Sequence, residues 1–181
     1  MTARKNTTLA IPAILVLSIQ LGCTGAPDGV KPVSGFELER YLGTWYEIAR
    51  LDHRFERGLS QVTAEYSMRS DGGVRVVNRG LSVAAGTWEE AIGKAYLTGD
   101  SDIGQLKVSF FGPFYGGYNI IELDKTAYQY SLVAGPNRDY LWLLSRTPRI
   151  DPATAKQLID IATDLGFATE ELIFVEQIPM Q

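Results

Sequence analysis

The chain has one cysteine and one histidine in 181 residues. Cys23 therefore has no partner for an intrachain disulfide, and Cys23 with His53 falls short of the ligand set of a structural zinc site, so no metal or cofactor is expected. An excess of positive charge is missing too, since 17 Lys and Arg stand against 21 Asp and Glu for a net charge of −4. The basic residues are scattered singly or in pairs, so the electropositive footprint that a phosphate backbone requires is absent, and nucleic acid is excluded as a partner. The apolar run Leu9 to Ile19 spans eleven residues, short of the roughly 20 that cross a bilayer as a helix, and Pro12 interrupts it. What remains is ordinary globular composition, 45% hydrophobic and 21% charged, enough for one domain that buries about 70% of its unfolded surface.

The N-terminus reads as an address. Arg4 and Lys5 precede the apolar run, and the small residue Gly22 stands just before Cys23, the layout of a signal peptide over residues 1–22. Gln20-Leu21-Gly22-Cys23 resembles the lipobox of bacterial lipoproteins, with Gln20 where that group prefers an aliphatic residue. The resemblance implies that Cys23 is lipidated and becomes the mature N-terminus, and Thr24 after it implies export to the outer membrane. Residues 23–32, with Pro, Gly and Asp, read as a lipidated tether, and residues 33–181 as a single domain.

From Val33 onward the pattern is strand, turn, strand. Eight segments rich in β-branched and aromatic residues are expected: Thr44 to Arg50, Val62 to Met68, Val74 to Asn78, Trp88 to Leu97, Leu106 to Phe111, Tyr118 to Leu123, Tyr128 to Ala134 and Tyr140 to Arg146. Asp71-Gly72-Gly73 and the Gly-Pro and Gly-Gly pairs between the others supply turn chemistry. Short connections favour an antiparallel up-and-down meander, and closure into a barrel removes its exposed edges. The fold class is all-β, an eight-stranded barrel with room for one small ligand. Alternating strand direction brings Arg146 beside Trp45 at one end and gathers loops 51–61, 79–87, 112–117 and 135–139 at the other. Asp151-Pro152 then starts a helix whose stripe of Ala155, Leu158, Ile159, Ala162 and Leu165 needs the outer wall of the barrel as cover. Gly166 stops it, and Glu171 to Gln177 supplies a short ninth strand.

Gly43-Thr44-Trp45 contains the Gly-x-Trp signature that opens the first strand of lipocalins, and Ser145-Arg146-Thr147-Pro148 matches the arginine motif that ends their last barrel strand. The longer runs YLGTWYEIARLDHRFERG, KVSFFGPFYGGYN and RDYLWLLSRTP resemble the bacterial outer-membrane lipocalins, relatives of apolipoprotein D and the plant temperature-induced lipocalins. The resemblance covers about residues 33–177. It implies that Arg146 packs on Trp45 across the closed end of the barrel, a contact worth about 0.5–2 kcal/mol. It also implies a lipid-carrying cup tethered to the outer membrane and facing the periplasm, with fatty acids or lysophospholipids as cargo and a role in membrane maintenance under stress. Dimers are known in this group, and nothing in the residues themselves calls for a homodimer.

With Trp45 pointing inward, strand alternation puts Trp142 and Leu144 on the face of Arg146 and aims Tyr66, Val76, Phe110, Tyr130 and Leu132 into the barrel. Such residues line a ligand pocket or fill a packed core. Glu47 has the same inward parity, which demands a partner nearby or a different parity there. At the open end, His53, Arg54 and Arg57 are candidates to meet a carboxylate or phosphate head group, although Asp52 and Glu56 interleave with them and offer a loop that pairs with itself. Phe111, Phe114 and Tyr115 crowd a loop that would normally be polar, where they line the mouth, touch a bilayer or pack on a neighbouring loop.

An enzyme is not expected, because the lone cysteine lies on the tether, His53 is the only histidine, and neither a phosphate-cradling glycine loop nor a Gly-x-Ser-x-Gly elbow is present. Two other readings compete with the lipid cup: a carrier of a flat apolar molecule such as a porphyrin or pigment, and a structural lipoprotein with a filled barrel. Cavity size separates the second from the first.

Overall fold

The computed structural model describes residues 24–178. The expected signal peptide 1–22 and Cys23 lie outside the described residues. Eight strands, β1 (Gly43–Arg50), β2 (Leu59–Met68), β3 (Val74–Ser82), β4 (Thr87–Leu97), β5 (Gln105–Ser109), β6 (Gly116–Leu123), β7 (Tyr130–Ala134) and β8 (Leu141–Ser145), pair antiparallel in chain order. β1 bonds both β8 and β2, which closes the barrel. A two-residue strand, β9 (Ile173–Phe174), adds to the outside of β1.

Several boundaries differ from expectation. β2 and β3 run further toward the open end, with Leu59 opposite Ser82, so the first loop shortens to 51–58. β7 starts at Tyr130 because Tyr128 takes a left-handed φ of 55°, which ends any strand there. A single-turn helix, α1 (Leu38–Tyr41), precedes β1 and closes the barrel floor. It escapes sequence reading because four residues are too few to show a helical period.

Two apolar clusters lie on either side of the wall. Inside, Trp45, Tyr66, Val76, Leu106 and Val133 pack with Phe36 and Tyr41 from the segment before β1. Outside, helix α2 (Pro152–Asp164) covers Ala49, Leu132, Leu141 and Leu143 with Leu158 and Ala162. Each buried leucine among them contributes about 1.5–3 kcal/mol. Asp151 starts α2 by accepting from Thr154 N at 2.9 Å, the capping contact expected of it.

Residues 24–32, expected to be a tether, lie against the outer wall. Gly25 O accepts from Asn119 Nδ2 at 3.1 Å and Asp28 O from Arg138 Nη2 at 2.8 Å, while Val30 is buried with the outer cluster. Two apolar residues under the polar composition, Pro27 and Val30, give the segment something to bury.

Candidate functional site

The closed end is sealed by the pair that strand counting brought together. The Arg146 guanidinium carbon lies 4.0 Å from the Trp45 ring centroid. Its nitrogens donate to the carbonyls of Arg40 (2.7 Å), Thr44 (3.0 Å) and Tyr128 (3.2 Å). Gly43 has a φ of 93°, and a side chain there would start 3.4 Å from Arg146 Nη1. Glycine is therefore demanded by backbone conformation as well as by proximity.

Above this seal the barrel encloses an open cavity of ≈ 730 Å³, within the roughly 300–1,000 Å³ typical of small-molecule pockets. Tyr66, Val76, Phe110, Trp142 and Leu144 line it as expected. One inward rung runs Trp45, Ala64, Asn78, Ala91 around the wall; its two alanines leave the space, and Asn78 Oδ1 is buried there without a hydrogen-bond partner. The floor carries hydroxyls in series: Tyr118 Oη lies 2.8 Å from Tyr41 Oη and 2.9 Å from Tyr66 Oη, and Tyr41 donates to Ser131 at 3.3 Å. Burial pushes the Tyr41 phenol up to about 12 and raises Tyr66 and Tyr118 as well, so the floor is polar but uncharged.

Tyr130 and Leu132 do not line the cavity. Both face the opposite way, into the cluster beneath α2, and the inward members of β7 are Ser131, opposite Leu144, and Val133, opposite Trp142. The wall under the helix is apolar on both faces, so alternation of hydrophobicity carries no information about direction there.

Glu47 does face inward, and its partner is Arg50, whose Nη1 lies 2.6 Å from Glu47 Oε1. Residues three apart on a strand would point to opposite faces, but the register shifts between Glu47 and Ala49. This bulge turns both side chains to one side. Arg50 also donates to the carbonyls of Glu56 (2.7 Å) and Leu59 (3.2 Å), which fastens loop 51–58 to the barrel. Glu56 accepts from the Trp142 indole at 3.0 Å. Burial and then the neighbouring Glu56 charge push the Glu47 carboxyl well above its ordinary range, against the pull of Arg50. Burial pushes Glu56 up as well, but contacts with His53, Trp142 and Arg50 outweigh it and leave Glu56 below its ordinary value. The two carboxyls are thus pushed apart, Glu47 upward and Glu56 downward. Sequence reading missed Arg50 and Glu56 because only the bulge brings them into the wall.

The mouth departs from expectation at two positions. His53 is buried, not at the rim; its Nε2 lies 3.0 Å from Glu56 Oε2, off the line of a hydrogen bond, and its ring packs on Phe55 and Trp142 at 4.6 and 5.1 Å. Arg57 is occupied by Asp52 at 2.6 Å, the self-pairing that the interleaved charges allowed. Tyr115 lines the opening, half-buried between the Lys94 and Lys107 ammoniums at 5.9 and 5.2 Å. Arg54, Phe111 and Phe114 do stand at the opening, the two rings 79% and 74% exposed. Phe55 joins them there.

A family model described as a lipocalin-like domain matches residues 36–177. The outer membrane lipoprotein Blc of Vibrio cholerae is 57% identical, over 93% of this chain and 98% of that protein. Temperature-induced lipocalin-1 of Arabidopsis thaliana is 36% identical, over 79% and 80% of the two chains. Among solved structures, insecticyanin from the tobacco hornworm superposes with a TM-score of 0.68 at 21% identity, covering 85% of this chain and 87% of that one. The bacterial relatives at 53–57% identity place the protein at the bacterial outer membrane. The closed barrel, its Trp45–Arg146 seal and the open cup agree with these matches: the chain belongs to the lipocalin family.

Proposed function

We propose that the protein carries a fatty acid or lysophospholipid, with the acyl chain in the cup and the head group at the mouth, while anchored through Cys23 to the outer membrane and facing the periplasm. The observation that carries this reading is the open ≈ 730 Å³ cavity. Apolar side chains dominate its wall, its floor is uncharged, and ionised groups cluster toward the opening, a gradient that matches a single-chain amphiphile. A cavity of this size speaks against the filled-barrel reading. In this reading the protein stores or hands over lipid for membrane maintenance under stress, and it does so by binding alone.

Arg54 is the head-group contact: it lines the opening and has no ion-pair or hydrogen-bond partner among the described residues. Displacement of a fluorescent fatty acid tests this. Arg54→Ala should weaken anionic ligands by about 1 kcal/mol, roughly fivefold, and leave a neutral monoacylglycerol unchanged. Arg57→Ala, already paired with Asp52, should change neither; equal losses for both ligand types would refute the head-group role.

A further inference from the structure

Two independent features converge on the open end of the barrel. The first is the path of the chain that leads from Cys23. β6 begins at the open end, after loop 110–115, and Gly117 lies in its first turn of pairing. A side chain built on Gly117 would start 2.6 Å from Gly25 O and 3.1 Å from Thr24 O, so the N-terminal segment crosses the barrel rim against bare backbone. Asn119, fully buried, ties it there: its Nδ2 donates to Gly25 O and also to the carbonyls of Ala134 (3.3 Å) and Gly135 (3.0 Å) at the open end of β7. The chain then descends the outer wall, with Val33 N donating to Ile120 O at 2.8 Å and Phe36 N to Asp102 O at 2.8 Å, at the closed end. Only the Thr24–Cys23 linkage, about 3.8 Å between α-carbons, separates this fastened segment from Cys23.

The second feature is the loop beside it. Residues 110–117, Phe-Phe-Gly-Pro-Phe-Tyr-Gly-Gly, contain no charged side chain, and Phe111 and Phe114 project into solvent. Val83 in the β3–β4 turn, Trp88 at the start of β4 and Phe55 in loop 51–58 are also exposed at this end. Both ends carry charge, Asp52, Arg54, Arg57, Arg138 and Asp139 at the open end and Asp100, Asp102, Asp124, Lys125 and Arg149 at the closed end, but none of the large exposed rings lies in a closed-end loop. Exposed apolar rings grouped on one end of a molecule mark an interaction surface, and rings of this kind partition to the layer between head groups and acyl chains.

We propose that the protein sits mouth-down on the leaflet that holds its anchor, with Phe111 and Phe114 in the interfacial layer and the cup opening onto the lipids themselves. The inference rests on the reading of Cys23 as the lipidated residue. The occupant of the apolar end is the phospholipid surface, because an anchor one residue from Thr24 holds that rim at the membrane, while the closed end stands a strand length away, about 30 Å. A lipid then moves between leaflet and cup without crossing bulk water.

The test uses the full-length lipidated protein in vesicles of phosphatidylethanolamine and phosphatidylglycerol. With Cys23 acylated, a single introduced cysteine, Val83→Cys at the mouth or Ser101→Cys at the closed end, takes a thiol fluorophore alone. Doxyl-labelled phospholipid in the bilayer should quench the label at 83 several-fold more than the label at 101. Phe111→Ser with Phe114→Ser should bring the label at 83 down toward the level at 101 without changing the melting temperature. Equal quenching at both sites, or stronger quenching at 101, overturns the orientation. Energy transfer between copies labelled at 83 without bilayer quenching overturns it in favour of a second copy of the chain covering the rings. Intact mass is read first: absence of a diacylglycerol adduct refutes the anchor at Cys23, a failure distinct from an adduct accompanied by equal quenching.

Discussion

Replacing Arg50 with Met is expected to destabilise the barrel by about 3–5 kcal/mol, because it strips the cation from two buried carboxyls. For a domain of this size that is a fall in melting temperature of roughly 10–15 °C. The double variant Arg50→Met, Glu56→Gln should recover part of the loss, since it removes the ionised carboxylate that Arg50 leaves without a cation. A double variant as unstable as the single one would locate the effect in the bonds from Arg50 to the Glu56 and Leu59 carbonyls. The same cluster sets a pH dependence of defined sign. Glu47 holds its proton more tightly folded than unfolded, so its contribution is complete below the ordinary value of 4.5 and is lost as pH rises through the raised folded value. Glu47→Gln removes this loss, and its melting temperature should therefore gain on the unaltered protein as pH rises above 4.5. Glu56 acts in the opposite sense, with stability present above 4.5 and lost as pH falls through its lowered folded value. Parallel pH profiles for Glu47→Gln and the unaltered chain would contradict the upward shift of the Glu47 carboxyl.

Removing the seal is the second large effect. Trp45→Ala deletes a fully buried ring and should cost about 3–5 kcal/mol. Arg146→Ala loses a cation over that ring and three bonds to carbonyls, about 2–4 kcal/mol in total, discounted for the part of the guanidinium that remains solvated. Arg146→Lys keeps the charge but not the planar fork that reaches the Arg40, Thr44 and Tyr128 carbonyls together, so it should recover less than half of the loss. In a double-mutant cycle followed by urea unfolding, the two sites should couple by about 0.5–2 kcal/mol. Additive losses would mean that the 4.0 Å stacking contributes nothing of its own.

These two clusters show what was and was not legible in the sequence. The seal was legible because strand counting fixes which ends meet and needs no knowledge of side-chain direction. Its glycine, tryptophan and arginine then agree with one another. The polar cluster was not, because a single bulge at Ile48 inverts the parity that Arg50 would otherwise have. Lumen residues were readable on β2, β3 and β8 and unreadable on β7, where α2 covers the outer face and both parities are apolar. His53 was assigned to the rim by the charges around it, yet Phe55, Tyr140 and Trp142 surround its ring, and the last two are almost ninety residues away in the chain. The fastening of residues 24–32 was hidden for a related reason: its bonds are made by Asn119 and Arg138, and nothing local to the segment announces them.

Whether the cup holds a lipid is decided by native mass spectrometry of detergent-free protein beside the variant Ala91→Trp. Ala91 lines the cavity without being packed against by the core, so an indole there obstructs the cup and should leave stability within about 0.5 kcal/mol. The unaltered protein should carry a stoichiometric fatty acid or lysophospholipid, identified after solvent extraction, and Ala91→Trp should lose it at an unchanged melting temperature. A barrel that is empty and refuses added single-chain lipids, or one that releases a flat ring compound instead, would contradict the lipid-cup reading.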